Sequence, residues 1–371
     1  MSRRPFGMVL GLVSVLASLS GCANLPYYAQ SVRGQLQIFE RERPIATVLN
    51  DPAVSKRVKV KLRQVRKFRR FAVSALALPD NGSYRQYADL QRPLVVWNVF
   101  ATPELSLTPV KSCFLVVGCL NYRGYFHETD ARAFANKLRK AGDDVFLGGV
   151  AAYSTLGWFD DPVLNTMLRW DDGRIARFIF HELAHQRLYI RDDSDFNEAF
   201  ATAVANEGWR RWLKASGDAT PSSSTESTHD AEFTRLLLHT RSRLESIYNS
   251  GRSDAFKRAA KAAAFKQLLA DYGVLRRRWG SDKGYDHWMH HDLNNAKIAA
   301  VSTYHADVPA FMALLAAAGG DMAKFYQLSA EVGGLPLKSR RHCLDGLIRS
   351  GAPYLDACAL PQLKNAPQAR R

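Results

Sequence analysis

The sequence predicts an α+β fold that is predominantly α-helical. Three segments between Pro93 and Ser154, PLVVWNVFA, CFLVVGCLNYRGYF and DDVFLGGVAAYS, have strand composition. From Asp171 onward the apolar residues recur almost wholly at helical spacing. The C-terminal half is dense in alanine and arginine, both strong helix formers. With 371 residues the chain can bury a substantial core. Its composition is that of a globular protein, which sets aside a disordered or multi-span membrane chain.

The elements follow in chain order. MSRRPFGMVLGLVSVLASLSGCANL opens with Arg3 and Arg4, then an apolar stretch too short to span a bilayer. Residues 1–21 read as an export signal. Leu19-Ser20-Gly21-Cys22 has the form of a bacterial lipobox, in which Cys22 is acylated and becomes the first mature residue. An ordinary secretory signal is the alternative. Several acyl chains would anchor the chain stably to a membrane. Ala23 after the cysteine resembles Gram-negative lipoproteins of the outer membrane, so the expected location is the cell envelope, at the periplasmic face of that membrane. Residues 22–360 read as a single unit, with a sheet and site-bearing helices over about 27–215 and a helical half over about 226–335. The two halves are expected to close around a cleft, and 361–371 read as a loose tail.

Residues 27–75 read as helix, broken at Asn50-Asp51-Pro52. Within SKRVKVKLRQVRKFRR, Val58, Leu62, Val65 and Phe68 recur at spacings of three and four and form one apolar face. That face suits the core and leaves a solvated basic face, which could also rest on an anionic membrane surface. LPDNGSYRQYADL reads as loop and turn, and ETDARAFANKLRKAG as a helix between the second and third strand segments. Asp171 or Asp172 can cap a helix to about Leu188, and Ser194 or Asp195 one to about Lys214. SGDATPSSSTEST, from Ser216, reads as an exposed loop. Helices are then expected over about 226–279 and 293–332.

The formal net charge is +16, and removing residues 1–21 leaves the chain strongly basic. An exported chain is not expected to meet nucleic acid, so anionic lipid heads, lipopolysaccharide or wall polymer are the expected anionic neighbours. Of five cysteines, Cys22 is the lipidation candidate. Cys113, Cys119, Cys343 and Cys358 form an even set suited to an oxidising compartment. Proximity in sequence favours Cys113–Cys119 and Cys343–Cys358, with buried thiols as the alternative.

The chemistry concentrates in FIFHELAHQRLYIRDDSDFNEAFATAV, Phe178 to Val204. His181 and His185 are four apart, so on a helix they share one face about 6 Å apart along the axis. Two such imidazoles can share one tetrahedral zinc, and Glu182, one step round, can reach a water there without ligating. Glu198, on the next predicted helix, is the candidate third ligand. Glu207 is the fallback, but nine residues on it faces the opposite way.

HELAHQ followed by FNEAFATAV resembles the gluzincin metallopeptidases, particularly the alanyl-aminopeptidase-like enzymes. With LPDNGSYRQYADL, CFLVVGCLNYRGYF and AAYSTLGWFDDPVL, the mature chain to about 335 resembles a bacterial family of aminopeptidase lipoproteins. The resemblance implies a zincin-like fold with a small mixed sheet, zinc on His181, His185 and Glu198, Glu182 as general base, and a peptide substrate. Two departures stand out. Glu198 lies closer to His185 than the third ligand does in the better-known gluzincins, and the Gly-x-Met-Glu-Asn segment that grips a free amine is absent.

Around this centre, Tyr304 and His305 are the candidates for stabilising an oxyanion, and Tyr285, His287, His290 and His291 form a second cluster. Asp192, Asp193 and Asp195 could orient an imidazole, with helix capping the simpler role. VAAYSTLGW could offer an edge to an extended substrate, or pack Tyr153 and Trp158 into the core. The reading is thus an exported, lipid-anchored zinc metallopeptidase. The rivals are a non-catalytic zinc-binding envelope lipoprotein and a zinc hydrolase of cell-wall peptide amides.

Overall fold

The computed structural model describes residues 25–114, 118–217, 221–280 and 284–358, and leaves the side chains of 221–227 and 303–304 undescribed. The export signal, Cys22 and the tail 361–371 lie outside these residues. The fold is α+β and predominantly helical. In chain order come α1 (Leu25–Phe39), β1 (Glu42–Pro44), α2 (Ile45–Asn50), α3 (Lys56–Leu76), β2 (Gln86–Ala88), β3 (Val96–Pro103), β4 (Ser112–Phe114), β5 (Gly118–Leu120) and β6 (Arg123–Tyr125). Then follow α4 (Glu128–Lys140), β7 (Asp143–Val150), β8 (Val163–Leu164), α5 (Asp172–Arg187), α6 (Ser194–Ser216), α7 (Pro221–Tyr248) and α8 (Asp254–Trp279). The chain closes with α9 (Asp286–His290), α10 (Asn295–His305), α11 (Val308–Ala317), α12 (Met322–Gly334) and α13 (Leu337–Ser350). Among the described residues no helix is long and apolar enough to cross a membrane.

The strands form small separate sheets rather than one mixed sheet. β6-β3-β7 is wholly antiparallel, β1-β2-β8 is mixed, and β4-β5 is a hairpin. The central sheet is covered on both faces, as strand alternation requires. Val99, Ala101, Tyr125 and Val145 pack with Ala131 and Ala135 of α4, while Phe100 meets Ala296 and Ala300 of α10. α3 buries Leu62, Val65 and Phe68 in the main core, and Ser55 caps it, accepting a hydrogen bond from the Val58 amide. Its basic side is not all solvated. Arg69 turns inward and donates to the Ser83 carbonyl and the Asp80 carboxylate, at 2.8 Å each, which ties the loop after α3 to the helix.

Two further expectations are corrected. Pro221–Thr228, expected as loop, is the start of α7. Proline at a first helical position costs no hydrogen bond, and the strong helix formers beyond can extend the helix back over serines and threonines. The cap of α6 is Asp193, one residue before the expected pair, with its carboxylate accepting from the Phe196 amide. α7 and α8 build their own apolar layer from Phe233, Leu237, Leu244, Leu268 and Tyr272.

Both expected disulfides are formed, Cys113–Cys119 and Cys343–Cys358. The second joins α13 to the 3-10 turn Ala352–Cys358 across a separation of 15 residues, with both sulfurs' residues buried. A loop of that length constrains the unfolded chain by about 3 kcal/mol. Cys343→Ser with Cys358→Ser should therefore lower unfolding free energy by about that much in urea titration; a change under about 0.5 kcal/mol would contradict it.

Candidate metal centre

Asp171 starts α5, its carboxylate accepting from the Arg174 amide at 2.8 Å. The helix then carries two faces. Ile175, Ile179, Phe180, Leu183 and Ala184 are fully buried in the core. Arg174, Arg177, Phe178, His181, Glu182 and His185 line a cavity of about 2200 Å³. α5 stops at Arg187, and the chain turns back through Asp192, which takes a left-handed φ of 65°. Asn197, itself buried, closes the turn: it accepts from the Ile190 amide and donates to the Ile190 carbonyl, both at 2.7 Å. The Asn of the Asn-Glu pair thus sets the geometry that the Glu uses.

Glu198, on the first turns of α6, faces the two histidines. Glu198 Oε2 is 3.1 Å from His181 Nε2 and 3.6 Å from His185 Nε2, and the two Nε2 atoms are 3.1 Å apart. Ligands about 2.0–2.1 Å from one zinc in tetrahedral array stand about 3.3 Å from each other, so the donor set and its spacing fit that ion. Among the described residues these three form the group able to hold a metal. Their order in chain shows why a short connection suffices: the six-residue turn from Leu188 to Asp193 lets α6 double back on α5.

The electrostatics agree. Burial alone would raise the Glu198 carboxyl, but the two imidazoles outweigh it and hold it at about 2. Burial pushes His185 down, yet the charges of Glu198 and Glu182 raise it above its ordinary value. Three donors converge with an anionic carboxylate among them, a cluster suited to a divalent cation.

Gln186, next in the motif, pins the centre to the loop after α3. Its amide donates to Ser83 Oγ at 3.2 Å and accepts from Asn81 at 2.5 Å. A second clamp comes from the disulfide hairpin β4–β5. Asp192 accepts from the Cys119 amide at 2.8 Å and Asp195 from Asn121 at 3.0 Å. Gly118, at φ 78°, is required there, since a Cβ would lie 2.5 Å from the Asp192 carboxylate. This clamp brings Tyr122 to the cavity wall. Burial, with Glu198 and Glu182 nearby, raises its hydroxyl well above the ordinary tyrosine range, so it stays a hydrogen-bond donor. The sequence reading passed over Tyr122; its place directly after the disulfide hairpin was the available signal.

The other candidates divide. Tyr304 stands in α10 with its side chain outside the described residues, whereas its neighbour His305 lines the cavity, and burial lowers its affinity for a proton. Tyr285 stacks on Phe233 and donates to Asp230, His287 packs on His291, and neither these nor His290 joins the centre. Asp192, Asp193 and Asp195 orient no imidazole. Asp193 caps α6 and pairs with Arg340 and Arg341, while the other two hold the hairpin. Glu207 is buried against Arg210 and Arg211, away from the histidines. β7 is an edge strand, and its continuation through Tyr153 and Leu156 lines the cavity. Trp158 is 64% exposed rather than packed in the core.

Asp161 fastens that continuation, accepting from Ser154 Oγ at 3.0 Å and from the Thr155 amide. Burial raises its carboxyl to about 6, despite those hydrogen bonds. An unfolded aspartate titrates near 3.9, so the folded chain binds this proton more tightly. The contribution is complete below about pH 4 and is lost as pH rises through about 6, an effect on the order of 3 kcal/mol. Asp161→Asn should remove that dependence. Unfolding at pH 4, 5, 6 and 7 should show the variant gaining on the parent as pH rises; parallel curves would contradict the assignment.

Comparison with known proteins gives one family. A family model described as "Putative aminopeptidase" matches residues 26–344. No curated protein and no solved structure matches.

Proposed function

The chain belongs to the family described as "Putative aminopeptidase", and on that premise we propose that it is a zinc metallopeptidase, exported and lipid-anchored through Cys22 at the periplasmic face of the outer membrane. The observation that carries this is the convergence of His181, His185 and Glu198 within 4.8 Å on the wall of a large open cavity. A structural zinc closes its coordination with protein ligands, whereas three donors facing a cavity leave a position for chemistry. Bound there, zinc would acidify a water and polarise a peptide carbonyl.

The chain's own residues do the rest. Glu182 lines the same cavity one step along α5, outside the donor set. Its carboxylate takes the proton from the attacking water and delivers it to the leaving amine nitrogen. Tyr122, kept protonated on the cavity wall, would donate to the oxyanion, the role for which the sequence offers Tyr304 and His305. The edge of β7 and the wall from Val150 to Leu156 offer an extended peptide a backbone to pair with. The partner is a peptide, with no role for nucleic acid.

The test is hydrolysis of peptide libraries by the soluble Ala23–Arg371 form, before and after chelation. The proposal expects cleavage that chelation abolishes and added zinc restores. Cleavage indifferent to chelation, or none by the zinc-loaded protein, would overturn it.

A further inference from the structure

We infer that Arg174 and Arg177 form a carboxylate-binding subsite for the substrate; the inference rests on the peptidase reading above. The two arginines precede His181 by seven and four residues, so all three lie on one stripe of α5, and all three line the cavity. Each guanidinium is held by an aromatic face. Arg174 Cζ lies 4.5 Å from the Trp170 ring centre and Arg177 Cζ 5.7 Å from that of Trp209. Neither guanidinium has a carboxylate or hydrogen-bond partner among the described residues. Arg210, also on the wall, is by contrast held by both oxygens of Glu207, at 2.7 Å each, a carboxylate it shares with Arg211.

Of the acids on the wall, Glu198 meets the histidines, Asp230 accepts the Tyr285 hydroxyl, and Glu182 is the proposed base. The cavity therefore keeps Arg174 and Arg177 as two forked cations on one stripe of α5, with Arg235 elsewhere on the wall, while Asp230, bonded to a neutral hydroxyl, is the one described wall carboxylate left to face an ammonium. A planar guanidinium grips a carboxylate in two parallel hydrogen bonds, and the neighbouring aromatic faces limit its freedom beforehand.

Position sets the register. Four to seven residues of helix span about 6–10 Å, and helical side chains lean towards the N-terminus, away from His181. An extended peptide advances about 3.3 Å per residue, so the recognised carboxylate falls about two to three residues from the cleaved bond. It is either the C-terminal carboxylate of a short peptide or an acidic side chain at that distance.

The test uses the mature protein with Glu182→Gln, so that bound peptides survive, and three tetrapeptide libraries. One has free C-termini and no acidic residues, the second is its C-terminal amide, and the third is the amide with a single glutamate at each position. Capture followed by mass spectrometry should favour carboxylate-bearing members over plain amides by about tenfold or more. The first and third libraries separate the two sources of the carboxylate. Arg174→Ala with Arg177→Ala should erase the preference, and Arg177→Lys should keep only part of it. Equal capture of acids and amides, no capture at all, or a preference that survives the double alanine variant would overturn the inference. Hydrolysis of the same libraries by the wild-type protein separates the two ideas. Equal cleavage of acids and amides removes the subsite and leaves the peptidase, whereas selective capture with no cleavage leaves the subsite and removes the peptidase.

Discussion

Glu182→Gln should keep zinc and lose about three orders of magnitude in turnover. Glutamine preserves the shape of the side chain and removes its ability to accept and return a proton, and general acid–base transfer is worth about 10²–10⁴ in rate. Zinc should be retained because the three converging donors belong to His181, His185 and Glu198, and Glu182 is not among them. Substrate binding should change little, so the loss belongs in kcat. The check is steady-state hydrolysis of any peptide the wild type cleaves, beside metal content measured on the same preparations. A Glu182→Gln protein within about tenfold of wild-type kcat would remove Glu182 from the chemistry; one that has lost its zinc would place the residue in the wrong role.

Glu198→Ala should do the reverse, lowering zinc affinity at least about a hundredfold and losing activity with it. The carboxylate is the anionic member of the trio, held at about 2 by the imidazoles it faces. Without it two imidazoles remain, spaced at 3.1 Å. The chain should still fold. The turn before α6 is closed by Asn197 on both polar groups of Ile190, and the helix by its Asp193 cap, none of which involves Glu198. Glu207→Ala is the matched control: it breaks the pairs of a buried carboxylate with Arg210 and Arg211 and should leave zinc affinity unchanged. Competition titration against a chromogenic chelator compares all three proteins. Equal affinity in the Glu198 variant and the wild type would remove the third ligand.

Particular residues show what could be read in advance. His181, Glu182 and His185 were legible because a helix converts a spacing of four into a shared face, and the capped start at Asp171 fixed that helix. Glu198 was legible from its context, with the turn before it required to be tight. What the one-dimensional pattern did not hold was how the turn is tied. Asn197 bridging Ile190, and Asp192 and Asp195 gripping a hairpin some seventy residues earlier, are contacts between segments that carry no mutual periodicity. Tyr122 was missed for the same reason. Its place in the site depends on that grip and on Gly118, not on any motif of its own. The segments that hold β3 to β7 were found, but β1 fell in a stretch read as helix, β2 in one read as loop and turn, and β8 was not read as strand; the division into separate small sheets depends on pairing partners, which alternation along one strand does not encode. The serine-rich stretch after Ser216 read as loop by composition, while the helix of which Pro221–Thr228 is the first part runs on to Tyr248.

In the sequence Arg174 and Arg177 are two members of a strongly basic chain, and nothing marks them out from the rest. The fold separates Arg69, Arg340 and Arg341, which hold loops and caps, from Arg174 and Arg177, which face the cavity over aromatic rings.

Crystals of the zinc-loaded Ala23–Arg371 protein, with diffraction recorded on both sides of the zinc absorption edge, put the zinc centre itself to the test. One strong anomalous peak per chain is expected, about 2.0–2.2 Å from His181 Nε2, His185 Nε2 and a Glu198 oxygen, with a further coordination position open to the cavity. A well-ordered chain with no peak among those three side chains, or with its zinc bound elsewhere, would contradict it.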